Sequence, residues 1–197
     1  LTGVGAVANT AKVEPGSTVA VIGLGGVGLA ALLGAISVGA ERIIAVDLSP
    51  DKLNFAKALG ATDVFNAADA DVANNIREAT KGGVDVAVEL AGSVQALTLA
   101  YNITRRGGTT VTAGLPAPNA MLSIPAVSLV AEERTIKGSY IGTAVPSRDI
   151  PRYIGLFRRC RLPIDRLLTH RLPLDDINAG FDRLREGLAV RQIVQFE

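Results

Sequence analysis

The hexapeptide Gly23-Leu24-Gly25-Gly26-Val27-Gly28 constrains this chain more than any other stretch. It follows the β-branched run Thr18-Val19-Ala20-Val21-Ile22 and opens an apolar helical pattern that reaches Val38. A G-x-G-x-x-G pattern arises easily by chance in a glycine-rich chain, and this one has 21 glycines. Between a buried strand and a helix, however, each glycine has its own physical task. Gly23 permits a tight turn, Gly25 lets the backbone approach a pyrophosphate, and Gly28 lets helix and strand pack closely. The start of the helix presents free N–H groups and the positive end of its dipole to an anion. Asp47, 19 residues beyond Gly28, closes the second apolar run. A carboxylate there accepts hydrogen bonds from both hydroxyls of a ribose and repels a 2′-phosphate, so NAD is expected over NADP. Two plainer readings stay open at this point: a structural glycine turn with Asp47 entering a helix, and a methyltransferase-type nucleotide site.

The same theme recurs along the chain. Arg42–Val46 precedes the helical pattern Asp51–Leu59, Val64–Phe65 precedes Asp71–Ala79, and Val84–Val88 precedes Ser93–Ile103. Thr109–Thr112 and Thr135–Ile141 are the last β-type runs of this half. The runs are apolar throughout rather than alternating, as in strands buried on both faces. Buried strands that alternate with helices make a parallel sheet with right-handed crossovers. Ahead of them, Gly3–Lys12 reads as a helix stopped by Pro15-Gly16. After about Val145, Arg replaces Lys; Ile150–Arg159 and Asp175–Arg185 read as amphipathic helices, Leu167–Leu172 and Arg191–Phe196 as short strands. The expected class is α/β: a Rossmann doubly wound parallel sheet with a short C-terminal helix/strand extension. The expected division is a lead-in helix at 1–13, a Rossmann domain at 14–145 and a C-terminal segment at 146–197.

Composition removes several other classes. Lys and Arg number 20 against 19 Asp and Glu, so no bulk charge favours nucleic acid or an anionic membrane as partner. The trio Arg158, Arg159 and Arg161 reads as a solvated helix face. Residues 15–40 carry no formal charge over a length that could span a bilayer, but their glycine cluster and β-branched run argue for strand, loop and helix instead. A single Cys (Cys160) and a single His (His170) exclude a disulfide framework and leave few side chains for a metal site. The expected compartment is the reducing cytoplasm. The chain begins with Leu1 and its only Met is Met121, so it is expected to be a piece of a longer protein.

Linked motifs run through the whole chain: Thr2-Gly3-Val4-Gly5-Ala6, Asn9-Thr10-Ala11-Lys12-Val13, Pro15-Gly16-Ser17 and Val19–Leu29. Gly39-Ala40, Arg42–Asp47, Leu59-Gly60-Ala61-Thr62, Gly82-Gly83-Val84-Asp85, Leu168-Thr169-His170 and Gly180-Phe181-Asp182 continue them. With these motifs the sequence resembles the zinc-dependent alcohol dehydrogenases of the medium-chain dehydrogenase/reductase family. The likeness is greatest to the branch with the glutathione-dependent formaldehyde dehydrogenases and classical alcohol dehydrogenases. By that resemblance the pyrophosphate would lie over Leu24, Gly25, Gly26 and Val27. Asp47 and Lys52 would meet the adenosine ribose, and Leu90 and Ala91 would wall it. Ala113, Gly114, Leu115 and Pro116 would run under the nicotinamide. Backbone groups of Ala113, Ser139 and Ile141 would hold its carboxamide, Thr2 would pack on its ring, and Arg191 would pair with the pyrophosphate.

The resemblance also implies a longer parent, with an N-terminal domain that carries the catalytic zinc ligands and the proton relay. No metal ligand and no catalytic residue is expected in these 197 residues. The implied function is the NAD(H)-binding part of an enzyme that oxidises alcohols to aldehydes or ketones, S-hydroxymethylglutathione among them, by hydride transfer. A zinc-free quinone or enoyl reductase and a non-catalytic NAD-binding module remain as alternatives; Asp47 counts against the former. The family also implies a homodimer through the edge strand near 134–141, with the apolar stretch Met121–Val130 packing across the same axis.

Overall fold

The computed structural model describes residues 1–196, which form two compact units, Leu1–Leu162 and Pro163–Glu197. Among the described residues of the first unit, six strands make one parallel sheet. They are β1 (Thr18–Ile22), β2 (Arg42–Asp47), β3 (Asp63–Asn66), β4 (Val84–Glu89), β5 (Thr104–Thr112) and β6 (Thr135–Gly138). Their spatial order is β3-β2-β1-β4-β5-β6. The chain thus builds outward from β1 to β3, then crosses back to lay β4 on the other side of β1. That reversal opens a crevice above the C-terminal ends of β1 and β4, where doubly wound folds bind ligands.

Helices α1 (Thr2–Gly5), α2 (Gly26–Val38), α3 (Pro50–Leu59), α4 (Val72–Ala79), α5 (Val94–Ile103), α6 (Ala126–Ala131) and α7 (Pro146–Arg158) complete the unit. Their ends follow from local chemistry. Ser49 caps α3 by accepting the Lys52 N–H, with Pro50 pre-set at the first helical position. Ser93 caps α5 by accepting the Ala96 N–H at 3.1 Å. α2 and α3 both stop at a left-handed glycine, Gly39 and Gly60. Ile22, Ile44, Val46, Ile76, Ala87 and Ile103 form the heart of the core on one face of the sheet. Fully burying a side chain the size of Ile44 contributes about 1.5–3 kcal/mol. The uncharged stretch at 15–40 resolves into β1, the glycine loop and α2. Among the described residues, no helix is long and apolar enough to cross a membrane.

Several elements differ from the sequence expectation: α6 is not among the expected helices, and α7 starts at Pro146 rather than Ile150. The lead-in helix does not run to Lys12 as one α-helix: α1 gives way at Ala6 to a π-helical turn, Ala6–Ala11, and Lys12 closes it at φ 57°. β5 starts at Thr104 rather than Thr109, because Arg105 pairs with Asp85 on β4 (2.6 Å) and a bulge absorbs the extra residues. β6 ends at Gly138, three residues short of the expected Ile141, because the backbone turns left-handed at Ile141.

β2 is clamped to β3 by a two-pronged ion pair. Arg42 reaches Asp63 with Nε–Oδ2 at 2.8 Å and Nη2–Oδ1 at 2.9 Å, and the Thr62 hydroxyl donates to the same carboxylate at 2.7 Å. The hydrogen bonds from Arg42 hold the Asp63 carboxyl down at about 2. A depressed carboxyl contributes stability that is present above its unfolded value of about 3.9 and is lost as pH falls toward about 2. The pair is partly open to water, so the contribution is about 1 kcal/mol at most. Asp63→Asn is expected to lose less stability than the wild type between pH 6 and pH 3 in urea titrations. Equal losses would refute the assignment.

The second unit is a small parallel pair, β7 (Leu168–Pro173) and β8 (Arg191–Gln195), joined through α8 (Ile177–Arg185). The Gln192 side chain ties strand to helix: its amide donates to Gly180 C=O at 2.6 Å and its oxygen accepts from Arg183 at 3.0 Å. Composition placed a boundary near residue 145; the compact units divide after Leu162, so α7 belongs with the sheet.

Candidate dinucleotide site

The crevice above β1 and β4 is a cleft of about 510 Å3. Gly23, Leu24, Gly25, Asp47, Lys52, Leu90 and Ala91 line it, and Ala67, Val72, Ala96 and Leu99 make its apolar floor. The three motif glycines have separate geometries. Gly23 turns at φ 90°, and a Cβ there would lie 2.6 Å from the Ala91 nitrogen. A Cβ on Gly28 would overlap the Gly23 carbonyl oxygen, so this position seats α2 against the loop. Gly25 is the opposite case: a Cβ there would meet nothing within 4 Å. Its bare face opens on space beside the first turn of α2, whose N–H groups have no intrahelical acceptor.

Asp47 ends β2 with its side chain largely buried at the cleft wall. Its Oδ2 accepts the Leu24 N–H at 2.7 Å, and its Oδ1 accepts the Ser49 N–H at 3.0 Å. Lys52 Nζ stands 3.9 Å from Oδ1. A carboxylate has about four lone-pair positions, so two remain for further donors. The same bonds commit the Leu24 N–H to Asp47. The N–H groups that stay open for an acceptor are therefore those that follow it, at the start of α2.

A residue that sequence reasoning missed holds the next part of the edge. Glu89 ends β4 fully buried. Its Oε1 accepts the N–H groups of Ala91 (2.8 Å) and Gly92 (2.6 Å), and its Oε2 accepts the Thr112 hydroxyl (2.7 Å). One carboxylate thus ties the loop after β4 to the end of β5. The backbones of these two loops touch so closely that a Cβ on Gly92 would lie 3.1 Å from the Leu115 nitrogen. The available signal was an acid closing an apolar strand, the same pattern that flagged Asp47.

The remaining expected residues lie farther along this edge or outside it. Gly26 and Val27 form the first turn of α2. Ala113 follows β5 with its N–H on Glu89 C=O (3.0 Å), and Leu115 projects into solvent. Ser139 follows β6 with its N–H on Thr112 C=O (2.8 Å), which sets Ser139 beside Ala113. Among the described residues, Ile141 N–H and the carbonyls of Ala113 and Ser139 have no partner. Thr2 opens α1, and its carbonyl lies 2.6 Å from where a Cβ of Gly142 would stand. Arg191 opens β8 in the second unit. Among the described residues, no three His, Cys, Asp or Glu side chains come together as a metal site would require.

The family described as zinc-binding dehydrogenase matches residues 26–159. Alcohol dehydrogenase 1 of Petunia hybrida is 40% identical over 200 aligned positions, which cover all of this chain and 52% of the plant protein. An alcohol dehydrogenase zinc-binding domain protein from Burkholderia ambifaria superposes with a TM-score of 0.95 at 36% identity, over all of this chain and 53% of its own. Benzyl alcohol dehydrogenase from Acinetobacter calcoaceticus superposes equally well at 34% identity, over all of this chain and 54% of its own. The chain spans about half the length of the curated relatives it matches. With a doubly wound sheet, a glycine loop at its switch point and this match across most of the first unit, the chain belongs to the zinc-binding dehydrogenase family.

Proposed function

We propose that this chain is the NAD(H)-binding part of an alcohol dehydrogenase. The observation that carries the proposal is Asp47, held at the cleft wall by two backbone N–H groups beside a glycine whose missing Cβ leaves room for a phosphate. The cleft residues fit the group. Asp47 takes the ribose diol, and Lys52 leaves one of its ammonium protons for the same sugar. The open face of Gly25 and the N–H groups of Gly26 and Val27 receive the pyrophosphate, with Leu90 and Ala91 walling the adenosine side. At the far end, the carbonyls of Ala113 and Ser139 offer two acceptors and Ile141 N–H one donor. A primary carboxamide brings two donors and one acceptor, the complementary set. Leu115 and Thr2 flank the ring. NAD, when bound, supplies the hydride-accepting carbon. The chain's residues orient it and exclude the phosphorylated cofactor.

The described residues do not offer a donor set for zinc, so the metal and the proton relay belong to the half of the relatives' length that this chain does not span. The substrate is an alcohol or its aldehyde, with S-hydroxymethylglutathione among the candidates, and the compartment is the reducing cytoplasm. Titration calorimetry with NAD+ tests the proposal: saturable one-site binding is expected, and no binding at millimolar NAD+ would overturn it.

The assembly we propose is a homodimer through β6, the edge of the sheet. The pairing surface is the four residues Thr135–Gly138 rather than the eight anticipated. Ser139 N–H faces β5, so the N–H groups of Ile136 and Gly138 alternate outward and are open to a second copy. Val127 and Val130 of α6 stand exposed just ahead of β6, and Met121 precedes them. Light scattering is expected to give about twice 20.4 kDa. Ile136→Pro removes an outward donor without costing a bond to β5, and is expected to give monomers that still melt cooperatively. A dimer unaffected by this change would refute strand pairing.

A further inference from the structure

Residues 141–143 hold the one run of positive φ that contains β-branched side chains among the described residues. Ile141, Gly142 and Thr143 stand at φ 51°, 70° and 49°. The left-handed region is least tolerable for β-branched residues, and such a turn persists only where its surroundings over-determine it. Here they do so from three sides. The Thr10 hydroxyl lies 2.7 Å from Ser139 Oγ and 2.7 Å from Thr143 Oγ1, bracketing the run at both ends. Asn9 Nδ2 donates to Gly142 C=O at 3.3 Å and to Asp149 Oδ2 at 3.2 Å. Asp149, almost wholly buried, also accepts the Val145 N–H at 2.9 Å and both prongs of Arg148 at 2.7 and 2.8 Å. On the third side, the α1 backbone meets Gly142 so closely that a Cβ on Gly142 would lie 2.8 Å from Gly5 Cα.

Asn9 and Thr10 are neighbours in sequence, yet both reach this one segment. In an α-helix successive side chains diverge by about 100°. The wider π-helical turn at Ala6–Ala11 brings the two closer in direction, and π turns recur at functional sites. Thr10 and Ser139 are buried, so these groups reach a ligand only through the backbone they hold.

We propose that Asn9, Thr10 and Asp149 are positioning residues for the nicotinamide half of a bound dinucleotide: they lock residues 139–143 in the left-handed turn that leaves Ser139 C=O and Ile141 N–H without protein partners. This inference rests on the NAD(H) reading above. It separates the two halves of the ligand, because the adenosine end meets β1, β2 and the glycine loop, with none of which these three side chains share a hydrogen bond.

The test compares NAD+ with ADP-ribose, which lacks the nicotinamide, by titration calorimetry on the 197-residue chain. Thr10→Val keeps the shape and deletes the hydroxyl; Thr10→Ser restores it; Asn9→Leu deletes the amide. Thr10→Val and Asn9→Leu are expected to weaken NAD+ about tenfold and ADP-ribose by less than about twofold. Thr10→Ser is expected to bind both ligands like the wild type. Equal weakening of both ligands would mean these residues only hold the fold, and no weakening of either would mean they do nothing; both outcomes overturn the proposal. A wild type that binds ADP-ribose as tightly as NAD+ overturns it too, while leaving the NAD(H) reading standing. A wild type that binds neither overturns both.

Discussion

Gly25→Ala is expected to remove most dinucleotide binding while leaving the fold intact, and Gly28→Ala to destroy the fold itself. The two positions are three residues apart, and both are glycines of one motif. Gly25 sits at φ −72°, ψ −175°, a conformation alanine adopts freely, and its Cβ would meet no protein atom within 4 Å. The methyl group would instead occupy space that the phosphates need. Overpacking of that kind costs roughly 1–3 kcal/mol, a loss of about ten- to hundredfold in affinity. The melting temperature should stay within a few degrees of wild type. At Gly28 the Cβ would overlap the Gly23 carbonyl oxygen, a backbone atom that cannot rotate away. Relief would need α2 to move off β1, whose Val19, Ala20 and Val21 are fully buried. A cost of about 3 kcal/mol or more is expected, a large part of the stability of a domain this size. Thermal melts and NAD+ titrations of the two variants check the contrast. A Gly25→Ala variant that binds NAD+ normally would remove the pyrophosphate from the glycine loop.

The second large effect concerns the choice of cofactor. The wild type is expected to bind NAD+ at least about a hundredfold more tightly than NADP+, because a 2′-phosphate would have to sit against the Asp47 carboxylate. Complete removal of the side chain confounds the test, since the Leu24 and Ser49 N–H groups would both lose their acceptor. An unsatisfied buried donor costs about 1–3 kcal/mol. Asp47→Asn is the cleaner change: its one carbonyl oxygen keeps the Leu24 bond, only the Ser49 N–H loses its acceptor, and the charge is gone. The NAD+/NADP+ ratio is expected to fall about tenfold or more in Asp47→Asn, mostly through weaker NAD+ binding. Preference for NADP+ in the wild type would remove Asp47 from the ribose.

The strands and helices around the glycine loop were legible because their signals are local. Thr18–Ile22 and Gly26–Val38 are found where the β-branched run and the helical pattern predict them. The position of Asp47 follows from equally local signals: it closes the apolar run of β2 and lies beside the glycine loop, on the Leu24 N–H. The start of β5 was not legible, since Thr104-Arg105-Arg106-Gly107-Gly108 has neither apolar character nor alternation. It becomes strand where it pairs with β4, Thr104 opposite Val84 and the Arg105 charge on Asp85.

The sequence by itself determined the α/β class, the location of the glycine loop and the position of the acid that closes β2 beside it. All three depend on residue type within a window of a few tens of residues. Tertiary structure alone decided where β6 stops, why Ala6–Ala11 widens into a π turn and what Glu89 does. The left-handed turn at 141–143 runs against the local preference of Ile141 and Thr143, and its partners Asn9 and Thr10 lie more than a hundred residues upstream. Propensity reads only near neighbours. When a hydroxyl and an amide from a distant segment converge on one turn, the amide itself held by a buried carboxylate, their summed hydrogen bonds outweigh a backbone cost of about 1–2 kcal/mol per residue. That balance is settled only once the chain has closed on itself.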